Sequence, residues 1–196
     1  MSKAHVSTNS PVVQYDNPKL AMWAFLGGEV VFFISLILLI VFTRMVNGNY
    51  EADFRSLLSI PLIAVNTFVL LTSSYFVVRS LDRLHGGEAH PKGMRNNLLV
   101  VVVLGIAFLG GQAWEWTGLF RDGLSMSSTY GSAFFTVTGI HGTHVLIGLV
   151  WAVFLLVGNA RRSYTERDYL SVENFGLYWH FVDVVWIALF TIIYLI

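Results

Sequence analysis

Two ionisable residues lie one helical turn apart in the apolar stretch F-G-L-Y-W-H-F-V-D-V-V-W-I, residues 175–187. At this spacing His180 and Asp183 share one face of a helix, with Trp179 and Trp186 on the same side. A carboxylate near the middle of a membrane-spanning helix costs about 2.5 to 3.5 kcal/mol. Asp183 is therefore expected to face other helices and to accept a hydrogen bond, and His180 is the nearest candidate donor.

A glutamate lies inside the first apolar stretch, A-F-L-G-G-E-V-V-F-F, close to the middle of the predicted span. Ala24 and Gly28 form a small-xxx-small pair that would let a neighbouring helix approach closely and cover Glu29. The sequence leaves two interpretations open. Glu29 is either a proton-handling acid or a structural glutamate that fixes helix packing, and the sequence alone favours packing.

The third apolar stretch contains G-G-Q-A-W-E-W-T-G, with Glu115 between two tryptophans near the outer end of its helix. Tryptophans at this depth are typical of the aromatic belt, and a glutamate one turn from the headgroups can reach water. An anchoring role is therefore predicted for Glu115.

The fourth apolar stretch contains T-G-I-H-G-T-H, which puts His141 and His144 on one helix face at positions i and i+3. Histidine is the commonest metal ligand and a proton shuttle near neutral pH. Paired histidines in a glycine-rich helix are equally explained as interhelical hydrogen-bonding groups, because glycines allow close backbone approach. The preferred hypothesis is that the polar groups of the fourth and fifth stretches form one structural hydrogen-bond network.

A sharper hypothesis brings all of these groups together as an intramembrane metal centre. The residues concerned are Glu29, Glu115, His141, His144, His180 and Asp183. The spacing argues against it, because di-iron bundles use Glu-x-x-His pairs whereas this chain has His-x-x-His and His-x-x-Asp. Haem ligation has no support in the sequence either. We expect no metal and no cofactor in this chain.

The composition is that of an integral membrane protein, since 55% of the 196 residues are hydrophobic and only 12% are charged. Net charge is zero, so the charge gives no reason to expect a nucleic-acid partner.

Five stretches are long enough to cross a bilayer. They are residues 20–43, 57–78, 98–118, 132–158 and 174–196. Short polar connections predict an all-α bundle of antiparallel neighbours in a single domain, residues 19–196, after a disordered lead-in, residues 1–18.

Lysine and arginine residues are distributed unevenly between the two sides of the predicted bundle. The side with the N-terminus and the second and fourth connections holds nine of them, and the other side holds three, which together make the twelve in the chain. The positive-inside rule therefore predicts a cytoplasmic N-terminus and an external C-terminus.

Several motifs resemble one protein family in order along the chain. The strongest are Y-G-S-A-F-F-T-V-T-G-I-H-G-T-H-V-L-I-G, residues 130–148, and Y-W-H-F-V-D-V-V-W-I, residues 178–187. Similar matches occur around Glu29, from Pro61 onward and around Glu115. The chain resembles subunit III of the haem-copper terminal oxidases, the cytochrome c oxidase and quinol oxidase complexes.

The resemblance implies an accessory, non-redox subunit in a bacterial cytoplasmic membrane. Haem and copper would reside in partner subunits, subunit I would be the main partner beside subunit II and other subunits, and this chain would help to sustain proton uptake. Phospholipid is expected, with Arg161 and Arg162 near a lipid phosphate. The sequence begins at what resembles the third of the seven helices in longer members, so the five-helix form is expected. The alternatives are an accessory subunit of nitric oxide reductase and a small proton-coupled transporter, although the inverted repeat of a transporter is absent.

Overall fold

The computed structural model describes residues 17–46, 58–84, 90–165 and 168–196. Within these ranges the chain forms long helices and no strand, which confirms the predicted all-α class. The helices are α1 (Asn17–Val46), α2 (Ile60–Asp82), α3 (Pro91–Arg121), α4 (Thr129–Arg161) and α5 (Tyr169–Phe190), and a π-helical turn (Thr191–Leu195) continues α5. Nearly all of the predicted N-terminal lead-in, residues 1–16, lies outside the described residues.

All five described helices are long and apolar enough to cross a membrane, as predicted. Most of them extend beyond the predicted apolar spans, and α3 has 31 residues and α4 has 33. At 1.5 Å per residue these two helices are about 46 to 50 Å long, whereas the hydrocarbon core is about 30 Å thick. Hydropathy therefore located the apolar middle of each helix but not its ends.

The helix boundaries follow from local capping chemistry. Proline occupies the first turn of α2 and of α3, where the missing N–H group is not needed. Ser128 caps α4 by accepting a hydrogen bond from the Gly131 N–H at 3.1 Å. Gly123 follows the end of α3 with φ of +92°, a left-handed conformation that favours glycine.

The helices are not arranged in the order of the sequence. α2 packs against α3, α3 against α4 and α4 against α1, so these four helices form an arc. α5 lies inside the arc, where it contacts α2, α4 and α1. The prediction that consecutive helices are neighbours is therefore wrong for α1, whose main contacts are with α4 and α5. The order leaves the side of α5 between α1 and α2 open. We call this face the open side.

The fifth helix forms the centre of the bundle. Trp179 and Trp186 on α5 are fully buried, and both indoles pack among side chains from other helices. Gly148 on α4 makes this possible, because a Cβ atom there would lie 2.7 Å from two ring atoms of Trp179. The α4–α5 contact therefore depends on a position without a side chain.

The first helix is the least buried of the five spans and is held by polar contacts at both ends. Lys19 Nζ donates to Glu173 Oε1 at 2.6 Å at one end, and Arg44 donates to the Ile192 carbonyl at the other. The predicted small pair packs against none of the described helices, since Ala24 and Gly28 are both exposed. Any helix that this pair admits therefore does not come from the described part of the chain, because α4 and α5 contact other positions of α1.

Candidate functional site

The predicted polar residues form separate contacts between different helix pairs. Glu29 on α1 meets His144 on α4, with His144 Nε2 3.1 Å from Glu29 Oε2. The other ring nitrogen, Nδ1, lies 2.9 Å from the Ile140 carbonyl, an acceptor, so Nδ1 carries a proton. Nε2 and the carboxyl group therefore share a further proton between them. Both side chains are largely buried, with exposed fractions of 14% for His144 and 21% for Glu29.

The second contact joins His180 and Asp183 through a residue that the sequence analysis missed. Ser74 on α2 has its Oγ 2.9 Å from His180 Nδ1, and the same hydroxyl bonds Asp183 Oδ2. The predicted direct bond from His180 to Asp183 is therefore wrong, because the serine lies between them. A single hydroxyl can accept from one neighbour and donate to the other, so the three residues form a continuous hydrogen-bonded chain.

His141 lies apart from both of these contacts. It is 1% exposed, and its Nε2 is 3.2 Å from the Val182 carbonyl of α5. The ring stacks on Trp186 with centroids 4.8 Å apart, and Phe108 of α3 meets it edge-on at 6.0 Å. This residue therefore joins α3, α4 and α5 by packing and one hydrogen bond, as expected for a structural histidine.

Glu115 is buried within the bundle rather than exposed to water or headgroups. Its exposed fraction is 4%, and its Oε2 accepts hydrogen bonds from Tyr194 at 2.8 Å and from Gln112 at 3.1 Å. The predicted anchoring role is wrong for the glutamate, because the π-helical turn after α5 covers it with Tyr194. Its neighbour Trp114 is 72% exposed on the surface of the bundle, which is compatible with a belt residue.

Two further polar contacts connect α2 to α5 through tryptophan. Trp179 Nε1 donates to Ser73 Oγ at 2.8 Å, and Trp186 Nε1 donates to Thr67 Oγ1 at 2.9 Å. The indole N–H groups are buried, and each finds an acceptor, which avoids the cost of an unpaired donor. Together with Ser74, these hydroxyls make the α2–α5 contact the most polar in the bundle core.

The two arginines proposed for lipid lie at the end of α4. Arg161 and Arg162 are both exposed. Arg162 donates to Asp168 Oδ1 at 2.6 Å, and its guanidinium lies 5.5 Å from the ring centroid of Tyr164. Burial and the Asp168 carboxylate raise the pKa of Tyr164 above its usual 10. Arg162 therefore has a carboxylate partner within the chain, although 73% of its side chain remains accessible.

The geometry separates the residues that the metal hypothesis would bring together. Glu29 pairs with His144, Asp183 and His180 pair through Ser74, and Glu115 lies in a third place. In the described part of the chain no three His, Cys, Asp or Glu side chains are close enough to hold a metal ion. The single network predicted for α4 and α5 is also wrong, because each histidine binds a different helix. These groups can hold helices together, and two neighbouring groups can share a proton.

The comparison with known proteins agrees with the motifs. The model of the family described as cytochrome c oxidase subunit III matches residues 6–196. The chain is 35% identical over 181 residues to cytochrome c oxidase subunit 3 of Bacillus sp. strain PS3, an alignment that covers 91% of this chain and 86% of the relative. It is 36% identical to the subunit of the same name in Bacillus subtilis, with the same coverage. It is also 33% identical over 180 residues to the probable quinol oxidase subunit 3 of Staphylococcus saprophyticus, covering 91% and 88%. This chain belongs to the cytochrome c oxidase subunit III family.

Proposed function

We propose that this chain is the accessory subunit III of a bacterial haem-copper oxidase that reduces oxygen to water and translocates protons. The observation that carries the proposal is the family match over residues 6–196 in a chain with five membrane-spanning helices. Haem and copper would be held by partner subunits, with subunit I as the main partner and subunit II in the same complex. The chain would contribute stability and proton supply rather than a catalytic centre.

The separate polar contacts support this division of labour. Each one joins two helices, as Glu29 joins α1 to α4 and Ser74 joins α2 to α5, and the described residues offer no set of ligands for a metal. Glu29 and His144 are the best candidates for proton supply, because they share a proton and remain partly accessible. Bound phospholipid is proposed at the end of α4, where the exposed Arg161 guanidinium would meet a lipid phosphate and Arg162 would assist.

The proposed location of the protein is the bacterial cytoplasmic membrane, with the N-terminus in the cytoplasm. With five spans, the start of α1 and the end of α5 would lie on opposite sides of the membrane. The distribution of lysine and arginine favours a cytoplasmic start of α1. Because the chain has no cysteine, single cysteines at Ser163 and at Met126 test the orientation in intact cells with a membrane-impermeant maleimide. Labelling at Met126 alone is expected, and labelling at Ser163 alone would reverse the proposal.

The function is tested by tagging the chain, extracting it in mild detergent and recording the reduced-minus-oxidised spectrum and oxygen uptake of the purified material. A haem signal of a, b or o type with oxygen consumption is expected. Nitric oxide reduction by the purified complex, without oxygen consumption, would favour an accessory subunit of nitric oxide reductase. A colourless chain, under conditions that preserve other oxidases, would favour a transporter.

A further inference from the structure

The open side exposes a narrow strip of α5 between α1 and α2. Val184 and Ile187 are 64% and 42% exposed on this strip, and His180, one turn before Val184, is half-buried. Most other side chains of α5 are buried against α1, α2 and α4. His180 lies 11 residues after Tyr169, which places it about 17 Å along a helix about 33 Å long. The strip therefore carries one polar ring near the middle of the membrane.

One nitrogen of this ring has no partner within the described chain. His180 Nδ1 contacts Ser74, but none of the described residues offers a hydrogen bond to Nε2. Asp183 Oδ1 also lacks a partner, but that atom is fully enclosed by the bundle, whereas His180 Nε2 is not enclosed. The Nε2 edge of His180 is therefore directed at whatever covers the open side.

The hydrogen-bonded chain determines what that edge presents. A net charge at mid-membrane is costly, so the His180, Ser74 and Asp183 cluster is neutral overall. Two proton arrangements satisfy this condition without burying an unpaired O–H group, because a proton on the enclosed Asp183 Oδ1 would have no acceptor among the described residues. In one, Asp183 is protonated and donates to Ser74, which donates to Nδ1. In the other, a charged His180 donates from Nδ1 to Ser74, which donates to the carboxylate.

Both neutral arrangements leave a proton on Nε2. In the first, the neutral imidazole accepts at Nδ1 and so carries its one N–H group at Nε2, and in the second both nitrogens are protonated. The open side therefore presents a hydrogen-bond donor at mid-membrane. Acyl chains contain no acceptor at this depth, so lipid would leave the donor unpaired.

We propose that the open side is where a transmembrane helix of another oxidase subunit docks, with a side-chain oxygen of Ser, Thr, Asn or Gln that accepts from His180 Nε2. This inference rests on the proposed function, because it requires a multisubunit complex. The partner helix would cover Val184 and Ile187 with apolar side chains and place its acceptor beside the imidazole. Interhelical hydrogen bonds of this kind fix the register of helices in membranes.

Photocrosslinking in the purified complex tests the location. p-Benzoyl-phenylalanine replaces Val184 on the open side, and in a separate variant it replaces the 50% exposed Ile147 on α4, at a similar depth, as the matched control. A crosslink to a second oxidase subunit, identified by mass spectrometry, is expected from position 184, with lipid adducts alone from position 147. Lipid adducts alone from position 184, or equal subunit crosslinking from both positions, would overturn the proposal. If no second subunit co-purifies with the unmodified chain, the proposed function itself fails, which is a distinguishable result.

A pair of substitutions tests the hydrogen bond. His180→Phe removes the Nε2 donor, whereas Ser74→Ala breaks the internal chain and leaves the donor in place. The amount of partner subunit recovered per tagged chain is expected to fall about tenfold for His180→Phe, the order of one interhelical hydrogen bond. It is expected to fall by a smaller factor for Ser74→Ala, which leaves Asp183 Oδ2 without its donor but keeps the Nε2 donor. Equal losses in both variants would show that only internal packing matters and would overturn the proposed donor role.

Discussion

The contact between Gly148 and Trp179 provides the most direct test of the bundle core. In Gly148→Ala the new methyl carbon would lie 2.7 Å from Cε3 and from Cζ3 of the indole. Carbon atoms in contact prefer about 3.5 to 4.0 Å, so the ring must move by about 1 Å. Overpacking of this kind costs about 1 to 3 kcal/mol.

The same movement weakens a second interaction. Trp179 Nε1 donates to Ser73 at 2.8 Å, and both residues are fully buried. Leaving this donor unpaired costs about 1 to 3 kcal/mol. Because one displacement causes both losses, they overlap, and we expect Gly148→Ala to lower the free energy of unfolding by about 2 to 4 kcal/mol.

Unfolding by SDS in mixed micelles measures this change. Gly28→Ala on α1 is the matched control, since no atom lies within 4 Å of the added carbon, and a change within about 1 kcal/mol is expected there. Trp179→Phe removes the ring atoms that clash, so the double variant should recover at least about 1 kcal/mol relative to the sum of the single effects. A Gly148→Ala protein as stable as the control, or strictly additive effects, would refute the reasoning.

Three further substitutions test the polar contacts. Glu29→Gln keeps a hydrogen-bonding group for His144 but removes the shared carboxyl proton. We therefore expect normal assembly and earlier loss of activity during turnover. Unchanged pumping and an unchanged turnover lifetime would contradict a role in proton supply. Asp183→Ala is expected to reduce the yield of assembled complex before the activity of the assembled fraction changes, and full yield with full stability would be the contrary result. Tyr194→Phe removes one of two donors to Glu115 and should lower the free energy of unfolding by about 1 to 3 kcal/mol in the same SDS assay, whereas a wild-type midpoint would show that the bond contributes nothing.

The sequence was sufficient to predict the spans and the polar positions within them, because both depend on local composition. A run of about 20 apolar residues identifies a helix that can span the membrane wherever it occurs, and ionisable residues such as Glu29 and Asp183 are conspicuous inside such a run. The family motifs are also linear and need no geometry. These parts of the prediction required no knowledge of which helices meet.

The partners of the polar residues could not be predicted, because they depend on how the helices are arranged and rotated. Ser74 lies 106 positions before His180, and nothing local shows that α2 rather than α4 faces it. A weak signal was present in the hydroxyl residues of α2, since Thr67 and Ser74 lie about two turns apart on one face and Ser73 is adjacent to Ser74. Such a stripe in an apolar helix indicates the side that meets polar groups of another helix.

Glu115 shows a second limit of local reasoning. Its position between two tryptophans near a helix end is typical of interfacial residues, and Trp114 fits that pattern. The burial of the carboxyl group comes instead from Tyr194, which is 79 positions later and lies on a π-helical turn. The position of Glu115 along α3 could be predicted from the sequence, whereas its burial by Tyr194 could not.

The two end contacts of α1 bear on how the protein responds to bilayer thickness. Lys19 and Arg44 are 25 residues apart, about 37 Å along α1, and their partners Glu173 and Ile192 are 19 residues apart, about 29 Å along α5. A helix fastened at both ends cannot tilt alone to adapt to a thinner or thicker hydrocarbon layer. The bundle must tilt as a unit or the bilayer must deform around it, at a cost of fractions of a kcal/mol per Å of hydrophobic mismatch. Acyl-chain length in the host membrane would then act on the orientation of the whole subunit.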